Sequence, residues 1–183
     1  MKTFVEIGCC DFNTLRGLCD SGWRGIMVDP YKPYLDNISD HENLTKINSA
    51  VGLYDGKTTF KRVTDEFITK TGDKDYKGMG TITNITTLDT NKKLKSHLET
   101  HEVSLTTFNT MLSSLGITKI DYLKIDTEGM DFDILKSIDY TKYKINIIRM
   151  EHTYCDDKLV INFLENNGYH CELFKNDIIA IKK

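Results

Sequence analysis

The chain has 183 residues, 39% of them hydrophobic, and a formal net charge of −3, the length and composition of one ordinary globular domain. That charge leaves no basic footprint for nucleic acid, and no apolar run approaches membrane-spanning length. Its five cysteines are odd in number and include no Cys-x-x-Cys spacing, which argues against a disulfide framework and a structural zinc site. Met1-Lys-Thr-Phe4 leads straight into an apolar segment without a signal-peptide pattern, so a cytoplasmic, membrane-free protein is expected.

In chain order, residues 4–7 are apolar and β-prone, and Gly8 marks a turn. Residues 13–20 predict a short helix with Leu15, Leu18 and Cys19 on one face and Gly22 just past its end. Residues 25–28 predict a second strand ending at Asp29. Pro33 suits the start of a helix carrying Leu35 and Ile38, and residues 44–47 predict a third strand. Residues 51–102 are rich in Thr, Lys, Gly and Asp with weak periodicity. They predict an irregular insertion, in which residues 57–63 form a hairpin strand. Phe108, Met111, Leu112 and Leu115 then form a helical stripe capped by Gly116. Residues 120–125 predict a strand, followed by a helix facing inward with Met130, Ile134, Leu135 and Ile138. Residues 145–150 predict another strand, Leu159, Val160, Phe163 and Leu164 another helix, and residues 169–174 and 178–181 a terminal hairpin. This order predicts one α/β domain: a doubly wound sheet, mostly parallel, closed by an antiparallel hairpin. A cofactor half, 1–50, precedes the insertion, and a catalytic half, 103–183, follows it.

Ionisable groups gather where strands end, the position at which open α/β sheets bind ligands. Asp126 ends the strand of Tyr122-Leu-Lys-Ile-Asp126, and Glu151 and His152 end that of Ile148-Arg-Met-Glu-His152. Asp126 reads either as a reactive group or as the cap of a helix beginning near Glu128. Lys124 shares a strand face with Asp126. A lysine in an apolar strand needs an ionic partner, for which Asp126 and Glu151 are the candidates.

The first loop, Glu6-Ile-Gly-Cys-Cys-Asp-Phe-Asn13, has one glycine where a dinucleotide fingerprint needs three. Asp11 repels phosphate, whereas a cationic sulfonium ligand such as S-adenosylmethionine suits an acid-flanked loop. Asp29, about 20 residues past Gly8, stands where an acid accepts ribose hydroxyls, with helix capping as its other reading. Glu6 reads as a cofactor contact or an inert strand-edge acid. Cys9 and Cys10 read as small buried fillers beside the cofactor.

These residues resemble the FkbM-type methyltransferases, which are S-adenosylmethionine-dependent O-methyltransferases. The resemblance spans nearly the whole chain. It is carried most specifically by residues 103–109, by Ile120-Asp-Tyr-Leu-Lys-Ile-Asp-Thr-Glu-Gly129, by Asp133-Ile-Leu-Lys136 and by Ile148-Arg-Met-Glu-His152. Glu6-Ile-Gly8, Val28-Asp-Pro-Tyr31, Asn48-Ser-Ala-Val-Gly52 and Gly78-Met-Gly80 extend it, while Asn109 stands where the family usually has Asp. The resemblance implies a class I methyltransferase, Rossmann-like sheet with the cofactor across its first three strand ends. Pro30 and Tyr31 then join the contacts, as do Ser49 and Ala50 near adenine.

Methyl transfer needs an oxygen held in line with the methyl carbon and a group to take its proton. Imidazole has suitable basicity, so His152 is the expected base, with Asp126 and Glu151 orienting substrate or base. The competing arrangement is Mg²⁺ or Mn²⁺ on Asp126 and Glu151. The expected acceptor is a sugar, glycan or small-molecule hydroxyl. It is selected by the insertion, with Tyr76 as a stacking face and Met79 as an anchor. The alternatives are a nucleic-acid 2′-O-methyltransferase, imitated by Lys124, Asp126 and Glu151, and a non-catalytic module that keeps the fold.

Overall fold

A computed structural model describes residues 1–84 and 87–183, apart from the side chain of Asp89; Ile85 and Thr86, inside the predicted insertion, lie outside the described residues. The chain runs β1 (Thr3–Ile7), a 3₁₀ turn (Arg16–Ser21), β2 (Arg24–Asp29), α1 (Lys32–Asn37), β3 (Leu44–Asn48), β4 (Ala50–Gly52) and β5 (Gly56–Val63). It continues with α2 (Asp65–Thr71), α3 (Asp75–Gly78), α4 (Thr87–Thr90), a 3₁₀ turn (Lys95–His97), β6 (Leu98–Thr107) and α5 (Phe108–Ser114). Then follow β7 (Lys119–Ile125), α6 (Asp131–Ser137), β8 (Lys144–Glu151), α7 (Asp157–Asn166), β9 (Tyr169–Phe174) and β10 (Asp177–Lys182).

The main sheet has the order β3-β2-β1-β7-β8-β10-β9. β1 pairs in parallel with β2 and β7, as do β2 with β3 and β7 with β8, whereas β10 is antiparallel to both β8 and β9. All five residues of β1 are buried, as a central strand covered on both faces requires. Side chains alternate between two cores. Phe4 and Met27 pack with Cys19, Leu35 and Ile38 on one face, while Val5, Ile7, Ile26 and Val28 pack with α5, α6 and α7 residues on the other. The chain winds outward from β1 to β3 and returns on the other side of β1 as β7. The switch in winding direction therefore lies between the ends of β1 and β7, where a doubly wound sheet opens a crevice.

Three expectations need correction. The segment predicted as irregular builds a second sheet, β4-β6-β5. Its β5 strand includes the predicted hairpin residues and pairs antiparallel with β6 from Gly56–Leu105 to Val63–Leu98. Most positions of that pair are exposed or half-buried and polar, so the sequence shows little hydrophobic contrast. Residues 13–20 hold a 3₁₀ turn rather than a helix, with Gly22 as its left-handed cap. The helix after β7 starts at Asp131, not near Glu128. Asp131 accepts hydrogen bonds from the Thr127 and Gly129 amides (2.8 and 3.0 Å) and so stabilises a loop over residues 127–130. Asn109 neither caps α5, a task done by Thr107, nor reaches the strand ends. Its amide bridges the Ser137 carbonyl and the Asp139 amide, tying α5 to the end of α6.

Candidate active site

Gly8 shapes the crevice. It adopts φ 77°, and a Cβ built there would stand 1.7 Å from the Asp126 carbonyl oxygen. Only glycine lets the loop after β1 cross the end of β7 so closely. The Gly8 and Cys9 amides both donate to the Val28 carbonyl (2.9 and 3.2 Å), which turns the loop toward β2. The resulting cleft is lined by Gly8, Cys10, Asp29, Pro30, Ser49 and Asp126 over an apolar floor of Ile7, Val28 and Val51.

The first strand ends thus meet much as the sequence suggests, with differences in detail. Asp29 is buried, and its two oxygens accept the Cys10 and Tyr31 amides at 2.8 Å each. Each oxygen keeps a lone pair for a further donor. Burial pushes its carboxyl up to about 6, while the two amide bonds pull it back. Cys10 lines the cleft, but Cys9 packs in the Phe4 core instead, and burial raises both thiols, Cys9 well above the ordinary range. Ala50 is buried in β4 and absent from the lining, whereas its neighbour Ser49 is present. Tyr31 packs edge-on to Tyr34, stacks on Phe60 and lies under the Arg62 guanidinium. Arg62 is fully buried; it donates to the Tyr34 hydroxyl (2.8 Å) and forms ion pairs with Asp65 and Glu99.

Lys124 obtains the partners its burial demands, with Glu6 in the place expected for Glu151. Its ammonium lies 3.0 Å from Asp126 and 3.4 Å from Glu6. Burial works against its charge, but the two carboxylates outweigh it and hold the pKa above the ordinary lysine value. Glu6 faces away from the cleft lining; its other oxygen accepts the Leu15 amide (3.2 Å), so it fixes the first loop from behind.

One member of the cluster is absent from the sequence expectations. Oxygens of Asp126, Glu128 and Glu151 all lie within 4.8 Å of one another. Glu128 reaches the group because it holds φ 55°, a left-handed conformation unusual for a side-chain-bearing residue. Burial, then the neighbouring Glu151 charge, pushes Glu128 up to about 8. Burial, then Asp126, pushes Glu151 up to about 7, and its buried Oε2 has no hydrogen-bond partner among the described residues. The family motif through Gly129 contains Glu128, but nothing in its spacing announces a turn that aims it back at β8.

His152 stands apart from this trio. Its Nε2 lies 3.4 Å from the Lys175 carbonyl, at the β9–β10 turn, and it lines a neighbouring groove with Thr153, Asp156, Asp157, Lys158 and Asn176. The insertion also takes an unexpected place. Lys77, Gly78, Gly80 and Thr81 line the same cleft as Gly8 and Asp29, while Tyr76 packs on Phe67 (5.4 Å between ring centroids) beside Met79.

Residues 6–171 match the model of the methyltransferase FkbM domain. The chain belongs to the FkbM methyltransferase family. Membership supports a methyltransferase activity, and the mostly parallel sheet with antiparallel edge strands is consistent with a methyltransferase fold. No curated protein and no solved structure matches this FkbM-family chain significantly. Among the described residues, no helix is long and apolar enough to cross a membrane.

Proposed function

We propose that the chain is an S-adenosylmethionine-dependent O-methyltransferase of the class I type, acting in the cytoplasm on a sugar, glycan or small-molecule hydroxyl. The observation that carries this reading is the single cleft that joins Gly8, Asp29 and Asp126 at the point where the sheet reverses direction. The donor set fits the nucleoside. Apolar walls from Val28, Val51 and Phe60 suit a base, and Asp29 retains acceptor capacity for ribose. The acids at both ends suit a cation better than a pyrophosphate.

S-adenosylmethionine supplies the methyl group and the sulfonium leaving group. The chain supplies orientation, proton removal and exclusion of water. Lys124 fixes Asp126 against the cleft, and Glu151, with a carboxyl near neutrality and an orphaned oxygen, takes the acceptor hydroxyl proton as the oxygen attacks. This assigns the base to the carboxylate trio rather than to His152. His152 instead joins the polar groove of Thr153, Asp156 and Asn176, which suits a polyhydroxylated acceptor. The net charge of −3 supports a reading without nucleic acid, and the free thiols support a reducing compartment.

A second reading rests on the same trio. Three converging carboxylate oxygens form an oxygen-only set suited to Mg²⁺ or Mn²⁺, which would acidify the hydroxyl directly. Calorimetry tests the main reading. S-adenosylhomocysteine should bind and NAD should not, and Asp29→Ala should weaken binding by about 1.5–3 kcal/mol, the range for hydrogen bonds to a charged group. Tight NAD binding, or unchanged affinity in Asp29→Ala, would sink it. Turnover abolished by EDTA and restored by Mn²⁺ would select the metal reading.

A further inference from the structure

We infer that α3 and the residues after it, Asp75 to Thr81, form a roof strap over the cofactor cleft that is latched to both halves of the sheet, so that cofactor occupancy and the position of Glu128 are coupled. This rests on the proposed cofactor site and adds a role that neither the family match nor the cleft lining assigns.

The strap touches the cofactor half first. The Lys77 ammonium lies 2.8 Å from Asp11 in the glycine loop, and the Asn37 amide donates to the same Asp11 oxygen (3.0 Å). Asp11 is nearly covered, with 10% of its side chain exposed, and its partners hold the carboxyl below the usual range despite the burial that opposes them. The Phe12 ring lies against Gly78, which closes the same joint with apolar surface. A covered ion pair of this kind is screened less than a surface pair.

The other end reaches the catalytic half. Thr81 is 1% exposed; its backbone pairs with Lys61 of β5 in both directions (2.8 and 2.9 Å), and its hydroxyl donates to the Glu128 carbonyl at 2.6 Å. Gly80 passes so close under Phe60 that a Cβ would stand 2.3 Å from the ring. The two anchor residues and the Gly78 and Gly80 between them all line the cleft. A segment pinned to Asp11 at one end and to the Glu128 loop at the other must part from one of them to admit a nucleoside. It can then close again over it, as lids over small-molecule sites do. Thr81 is thereby a positioning residue: it holds the backbone of the strained Glu128, not the reacting atoms. Lys77 is a cofactor-retention residue.

The probe is S-adenosylhomocysteine, whose neutral sulfur keeps the Lys77 charge from repelling it. Calorimetry and stopped-flow dissociation on wild type, Lys77→Met and Asp11→Asn should show about tenfold weaker binding in each variant, carried mainly by faster release. The Asp11→Asn, Lys77→Met double variant should be no weaker than either single change. Hydrogen exchange supplies the coupling readout. In wild type the probe should slow exchange at residues 75–81 and at 127–130 together. Thr81→Val should lose the second protection while keeping the first, and Thr81→Ser should restore both. Lys77→Met affinity within twofold of wild type, or protection of residues 127–130 that persists in Thr81→Val, would overturn the strap. Absence of any binding by wild type would instead overturn the cofactor site on which it rests.

Discussion

Glu128 and Glu151 set the pH response at the residue scale. Both carboxyls are raised in the fold, to about 8 and about 7, from an ordinary value of 4.5. Between the ordinary and the raised values the folded chain holds protons that the unfolded chain has released. Their contribution to stability is therefore complete below about pH 4.5 and is lost as pH rises through about 7 and about 8. Burial sets most of this balance, and Asp126, Asp131, Asp177, Thr153, Tyr154 and the two glutamates themselves adjust it. Glu128→Gln removes the larger shift, so its melting temperature should fall less than that of wild type between about pH 5 and about pH 9. Parallel curves for the two proteins would refute the assignment. Asp126→Asn leaves Lys124 with Glu6 as its charged partner. The fold should therefore survive while methyl transfer, assayed with a competent hydroxyl acceptor, drops by roughly tenfold or more. Lys124 was legible in the sequence because a buried lysine announces that it needs a partner. Glu128 was not, because its left-handed backbone is a property of the loop.

Elements follow the same division. β1 and β2 are mostly apolar and buried on both faces, and β7 and β8 set isoleucines, leucine and methionine at buried positions among polar ones, so all four are visible as sequence. β4 has three residues and β6 alternates Glu99, His101 and Val103 with Thr100, Glu102 and Ser104, so neither carries a hydrophobic period. Their pairing is decided by distant partners. Arg62 of β5, the largest fully buried side chain, is held by residues of α1, α2 and β6, and no local pattern foretells that an arginine will be core. The joint between β1 and β7 gives the sharpest test. Gly8→Ala adds a methyl where 1.7 Å separates it from backbone and where φ is 77°. We expect a destabilisation above about 2 kcal/mol, read as a fall in melting temperature of at least about 4 °C for a chain of this size. An unchanged melting temperature would mean that the loop crosses β7 differently.

The whole molecule brings two sheets to one cleft. The main sheet provides the crevice, and the insertion provides Phe60, Lys77, Gly78 and Thr81 around it. The doubly wound order was legible because strand and helix signals alternate. The docking of the insertion was not, since it depends on pairs such as Lys77–Asp11 and Thr81–Glu128, which lie far apart in the chain. The most direct test of the central claim is a crystal structure of the protein with S-adenosylhomocysteine. The ribose should lie against Asp29, the base beside Val51 and Phe60, and the thioether sulfur at the Asp126 end beneath residues 77–81. A nucleoside bound outside this cleft, or a cleft that remains empty at saturating ligand, would contradict the assignment.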